Sequence, residues 1–110
     1  MSSLRPGDLI LVEIPYTDLT GSKKRPSVIL SISRKDFLVA FITSRFEQTG
    51  KDDILLTSRS TSGLAVDSAV LVQKLFTIHK SLITRKLGSC TPQERRIILK
   101  AVIRKLEEGF

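Results

Sequence analysis

The sequence predicts a mainly β protein, a small antiparallel barrel with one α-helix at its C-terminus. Short runs rich in β-branched and apolar residues recur up to Gly88, each too brief for a helix. Polar stretches rich in Gly, Ser, Thr and charged residues separate them at turn-like intervals. After Gly88 the pattern changes to a helix start signal followed by apolar residues four apart. Many short strands and one terminal helix suit a barrel of about five to seven strands.

The elements follow in order. Asp8-Leu9-Ile10-Leu11-Val12-Glu13-Ile14 reads as the first strand, closed by Pro15. Tyr16 to Lys24 reads as a polar loop, with Thr20, Gly21 and Ser22 as turn formers. Pro26 to Ser33 is a second strand, its proline at the start, where a missing N–H is tolerated. Arg34-Lys35-Asp36 turns the chain into a third strand, Phe37 to Thr43, making an antiparallel hairpin. Ser44 to Asp52 is an exposed loop, Asp53 to Leu56 a short strand, and Thr57 to Gly63 another loop. Ser68 to Val72 is a strand followed by a turn around Thr77 to Ser81. Leu82 to Leu87 is the last strand, ended by Gly88.

The helix runs from about Pro92 to Glu108. Thr91 caps it, Pro92 suits its first position, and Glu94 completes a capping box. Ile98, Val102 and Leu106, with Leu99 and Ile103 beside them, form one apolar stripe expected to face the barrel. Arg95, Lys100, Arg104 and Glu107 are expected to face water.

The 110 residues amount to one domain, 1–110, and 41% hydrophobic content supports a real core. No apolar run approaches the roughly 20 residues of a membrane span. The opening residues do not form a secretory signal, so a cytoplasmic location is expected. Cys90 is the only cysteine and His79 the only histidine. A structural zinc site, wanting about four such ligands, is excluded; a carboxylate-held magnesium stays conceivable, but neither metal nor cofactor is expected. The acidic pairs Asp52-Asp53 and Glu107-Glu108 read as solvated ends. The net charge of +7 on so small a domain favours a polyanionic partner, nucleic acid ahead of an anionic membrane.

Two stretches carry a resemblance. The first is Gly7-Asp8 before an apolar strand, then Pro15-Tyr16-Thr17-Asp18, then Gly21-Ser22-Lys23-Lys24-Arg25-Pro26 entering a second strand. The second is Val39-Ala40-Phe41-Ile42-Thr43-Ser44, an apolar strand ending in Ile-Thr-Ser. Together they resemble the toxins of the MazF/PemK family, with weaker likeness through Asp67 to Leu75, Thr77-Ile78, Leu87-Gly88 and the final helix. That resemblance implies an SH3-like barrel, shared with MazF, CcdB and Kid, assembled as a homodimer. It implies endoribonuclease activity on single-stranded RNA and a paired, acidic antitoxin. It also implies catalytic roles for Arg25 and Thr43. After the Ser68 to Val72 strand, many members carry an acidic residue, Gln, an apolar residue and Arg, where this chain reads Gln73, Lys74, Leu75 and Phe76. The basic residue has moved to Lys74 or been lost.

The residue chemistry fits such an activity. RNA carries its own nucleophile, the 2′-hydroxyl, so an enzyme can cut it without metal or water. The protein must move two protons and steady charge on the phosphoryl oxygens. Arg25 suits the last task, because its planar fork holds two phosphate oxygens. The Thr43 and Ser44 hydroxyls can donate to a phosphate. Lys23, Lys24 and Arg45 adjoin these residues and would border one groove with Arg25 if the second and third strands pair. Tyr16 and Phe46 lie in loops, where an aromatic ring stacks on a base or anchors the loop. His79 is a candidate acid or base by its ordinary pKa near 7, or else a surface residue. Cys90 reads as a small filler. Two other functions share the fold and charge: a non-catalytic nucleic-acid-binding module and a CcdB-like gyrase poison.

Overall fold

The computed structural model describes residues 4–15 and 20–109. Its strands are β1 (Asp8–Pro15), β2 (Ser22–Ser33), β3 (Asp36–Thr43), β4 (Ile54–Leu56), β5 (Ser68–His79) and β6 (Ile83–Ser89), followed by helix α1 (Pro92–Glu108). All pair antiparallel in one sheet of order β4-β5-β3-β2-β1-β6. The sheet curls into a half-barrel and buries apolar side chains on both faces. Alternation does the sorting, because successive side chains point to opposite sides. Leu9, Val28, Ala40, Ile42 and Val70 pack with Ile98 and Val102 of α1. Ile10, Val12, Ile29, Val39 and Phe41 pack on the other face with Ile78 and Ile83.

The Gly7-Asp8 opening has a structural job. Asp8 is buried and takes hydrogen bonds from Arg5 N (2.9 Å) and Ser89 Oγ (2.8 Å), with Lys86 at 3.4 Å. It therefore ties β1 to β6. Gly7 donates its N–H to Ile29 O (2.7 Å) and accepts from Cys90 N (2.9 Å).

The helix runs from Pro92 to Glu108 as expected, and Thr91 and Glu94 form the reciprocal capping box. Its apolar stripe is narrower than periodicity suggests. Ile98 and Val102 are buried and Leu99 half-buried, but Ile103 and Leu106 are about half exposed. The half-barrel covers only one edge of the helix, chiefly through β4 and β5.

Three expectations need correction. Ser22 to Lys24 are strand, not loop, because β1 extends far enough to pair with them: Glu13 with Lys24, Ile14 with Lys23, Pro15 with Ser22. Pro26 consequently lies inside β2, at a position where only β1 is paired and a ladder N–H is dispensable. The strand opening at Ser68 does not stop at Val72. It bulges between Val70 and Leu75, then pairs with β3 out to His79, and the turn is the 3₁₀ segment Lys80–Leu82. Gly88 lies inside β6, which ends at Ser89.

Candidate functional site

β4 and β6 close the sheet at its two ends without pairing. The gap is filled by the loop of residues 57–67. Ser89 N donates to Thr61 O (2.8 Å). The approach is so tight that glycine is required on both sides. A Cβ on Gly63 would stand 1.9 Å from Leu87 O, and one on Gly88 would stand 2.4 Å from Thr61 O. Gly63 also has a φ of +72°, a conformation other residues rarely adopt.

The mouth of this closed half-barrel is a groove of about 560 Å³. Its rim is cationic on the β2–β3 side, with Lys23, Lys24, Arg25 and, just beyond β3, Arg45. Leu11 and Leu87 lie toward β1 and β6, and Gly63, Leu64, Ala65 and Val66 of the loop complete the wall. No Asp, Glu or His lines it among the described residues.

The β2–β3 register organises the rim. Ser27 pairs with Phe41, Val28 with Ala40 and Ile29 with Val39. The ladder with β3 ends at Ser27; Arg25, two residues before Ser27, and Thr43, two after Phe41, both line the groove. Alternation divides the basic run: Arg25 and Lys23 share the face of Ser27 and Phe41, and Lys24 belongs to the other. The Arg25 guanidinium lies over the Phe41 ring, 5.8 Å from its centroid. Phe41 in turn stacks on Phe76 at 4.4 Å between centroids and 21° between planes. Thr43 Oγ1 accepts from Arg45 N (3.1 Å), which leaves the hydroxyl hydrogen free to donate. Ser27, fully buried, has a hydroxyl with no hydrogen-bond partner.

Of the sequence-predicted site residues, Lys23, Lys24, Arg25, Thr43, Ser44 and Arg45 all line this groove. Phe46 opens the 3₁₀ turn Phe46–Gln48, is half exposed, and lies outside it. Lys74, on the irregular stretch of β5, lines cavities shared with Gln73 and Lys105 and not the groove. On that stretch Asp53 accepts from Val72 N (3.0 Å). Tyr16 falls outside the described residues. His79 lies apart from the groove, beside Lys35, Lys80 and Ser81. Its Nδ1 accepts from Ser81 N (3.1 Å) and so caps the 3₁₀ segment. Cys90 is half-buried, and burial, reinforced by Glu94, pushes its thiol up to about 11. It is protonated at neutral pH and a poor nucleophile.

Sequence reasoning missed the apolar wall, Leu64 to Val66, and the Phe41–Phe76 pair under Arg25. The run from Thr57 to Gly63 reads as an ordinary polar loop. Phe76 stood out only as a departure from a family pattern. Among the described residues no cluster of His, Cys, Asp and Glu is arranged to hold a metal ion.

A curled antiparallel sheet, a terminal capped helix and a cationic mouth define a small basic β-protein built to present that mouth. Residues 5–106 match the family model of the PemK-like, MazF-like toxins of type II toxin-antitoxin systems, and the chain belongs to that family. Solved structures agree on the fold. One is an endoribonuclease in complex with its cognate antitoxin from a mycobacterial species (18% identity, TM-score 0.72, covering 97% of this chain and 96% of that one). Another is the Mycobacterium tuberculosis toxin MazF-mt6 (17%, TM-score 0.69, 89% and 96%). A third is a MazE–MazF structure from Deinococcus radiodurans (15%, TM-score 0.77, 96% and 96%). No curated protein matches. No helix is long and apolar enough to cross a membrane.

Proposed function

We propose that this chain is the endoribonuclease toxin of its toxin-antitoxin pair, cutting single-stranded RNA, mRNA above all, at short preferred sequences. The observation that supports this reading is a groove whose cationic rim of Lys23, Lys24, Arg25 and Arg45 also carries Thr43. In the reaction the 2′-oxygen attacks the adjacent phosphorus and the bond to the 5′-oxygen breaks. A proton leaves the 2′-hydroxyl and another reaches the departing 5′-oxygen. The products are a 2′,3′-cyclic phosphate and a 5′-hydroxyl. Arg25 holds the phosphoryl oxygens as negative charge grows on them. The Thr43 hydroxyl donates a further hydrogen bond to the same phosphate. Lys23, Lys24, Ser44 and Arg45 bind flanking backbone, giving salt-sensitive affinity.

The single domain acts as a homodimer, with the exposed apolar Ile103 and Leu106 of α1 as surface available to a second copy. The partner is an acidic antitoxin segment, disordered until it binds, that competes with RNA for the rim. An activity on RNA calls for a cytoplasmic location.

The test is purified protein on a long RNA in excess chelator, with end-group analysis of the products. Cyclic phosphate and 5′-hydroxyl ends at recurring sequences are expected. Binding without cleavage would leave a non-catalytic module. Cleavage that stops on chelation would overturn the metal-independent chemistry.

A further inference from the structure

Arg59 is the most heavily engaged cation of the described residues, and it touches neither Arg25 nor Thr43. Its guanidinium joins three parts of the chain. Nη1 and Nη2 donate to the two carboxylate oxygens of Glu94 at 2.9 and 2.6 Å. Nη2 also reaches Ser89 O (3.3 Å), and Nε donates to Thr61 Oγ1 within its own loop (2.8 Å). Glu94 is itself fixed, because its Oε1 accepts from Thr91 N in the capping box. The loop is thereby clamped to the end of β6 and the first turn of α1.

The rest of the loop hangs from that clamp. Ser62 is buried, with its hydroxyl against Arg59 O (2.9 Å) and receiving Arg59 N (3.2 Å) and Leu64 N (3.3 Å). Ser58 donates its Oγ to Leu64 O (2.8 Å), and Ser58 N donates to Asp67 (2.7 Å). Leu64 is then driven into the core. Ala65 and Val66 are left exposed in the groove wall.

We propose that Arg59 is a positioning residue for the groove: by locking the loop to Glu94 it fixes Leu64–Val66 as the apolar wall of a mouth whose other side is the cationic rim. This rests on the reading of the groove as an RNA site. One side then holds phosphate and the other packs a base, and the latch sets the distance between them. A misplaced wall shifts the scissile phosphate relative to Arg25. A shift of about 1 Å can cost on the order of a hundredfold in rate.

The test compares wild type with Arg59→Met, Arg59→Lys and Glu94→Gln. Glutamine keeps the capping box, so Glu94→Gln weakens the latch while sparing the helix start. Hydrogen exchange reports the loop amides, and thermal melting reports the whole fold. Single-turnover cleavage and cut-site maps report the groove, with affinity measured on a short RNA lacking the reactive 2′-hydroxyl. In Arg59→Met and Glu94→Gln, exchange is expected to rise in residues 57–67 and not in β1–β3. Cleavage is expected to fall by about tenfold to a hundredfold with relaxed cut-site preference. Lysine should restore only part, lacking the bidentate fork. Unchanged loop exchange in both variants overturns the latch. Looser loop exchange with unchanged rate, affinity and cut sites overturns its role in the groove. A wild-type protein that neither binds nor cuts RNA overturns the functional reading, and the wall's role with it, while exchange still decides the latch.

Discussion

The Arg25 guanidinium lies 5.8 Å from the centroid of the Phe41 ring, and no carboxylate pairs with it among the described residues. An aromatic face orients a cation without neutralising it. Arg25 is thus half-buried and positioned, with its charge still available to an anion. Arg25→Ala should lower single-turnover cleavage by roughly 10²–10³, the usual cost of one transition-state donor, and lower affinity far less. Arg25→Lys should rescue in part, since a point charge cannot make the two-pronged contact. Equal rates at saturation for wild type and Arg25→Ala would remove Arg25 from the mechanism.

Phe76 backs the ring that Arg25 sits on. Being about half exposed, it can be trimmed with little loss of core. Phe76→Ala should slow cleavage by about two- to fivefold, the worth of an exposed cation–π contact of about 0.5–1 kcal/mol made less secure. Its melting temperature should stay close to wild type. A loss as large as that of Arg25→Ala would mean that Phe76 touches RNA itself.

Thr43→Ala should slow cleavage, and Thr43→Ser should retain more of it, because the function needed is the hydroxyl and not the methyl. Removing Oγ1 also frees Arg45 N, so RNA affinity should be measured alongside. Alanine and serine behaving alike would assign Thr43 to strand-end geometry alone.

His79 caps a 3₁₀ turn away from the groove. His79→Gln should therefore leave the cleavage rate and its pH profile unchanged. A lost ionisation near neutral pH in that profile would return His79 to the reaction.

Glu94 supplies a pH dependence of stability. Burial works to raise its carboxyl, but the hydrogen bonds from Arg59 and Thr91 and the Arg59 charge outweigh it and hold it below the usual range. With a folded pKa below the unfolded value of about 4.3, the charged carboxylate stabilises the fold above that pH. The contribution is lost as pH falls through the lower folded value. Wild type should melt above Glu94→Gln at pH 7, with the gap closing under acid. A gap that does not narrow at any acid pH at which wild type stays folded would assign the difference to something other than the ionised latch.

Sequence by itself determined the local elements, because their signals are local. Thr91, Pro92 and Glu94 lie within four positions and start the helix where they predict. The short hairpin between Ser33 and Asp36 follows from a polar turn between two apolar runs. Arg25 and Thr43 were legible only through a family pattern, since an arginine at a strand and a threonine at its end are ordinary chemistry. Only the tertiary structure decided the rest. Lys74 lies away from the groove, on the stretch of β5 where Asp53 accepts from Val72 N across 19 residues. The helix stripe lost Ile103 and Leu106 because a half-barrel covers less of a helix than its apolar period offers. The wall of the groove depends on Arg59 meeting Glu94, 35 residues away, and on two glycines letting backbones touch. No pattern of neighbours in sequence encodes such meetings, because they are set by how far the sheet curls before its ends are closed.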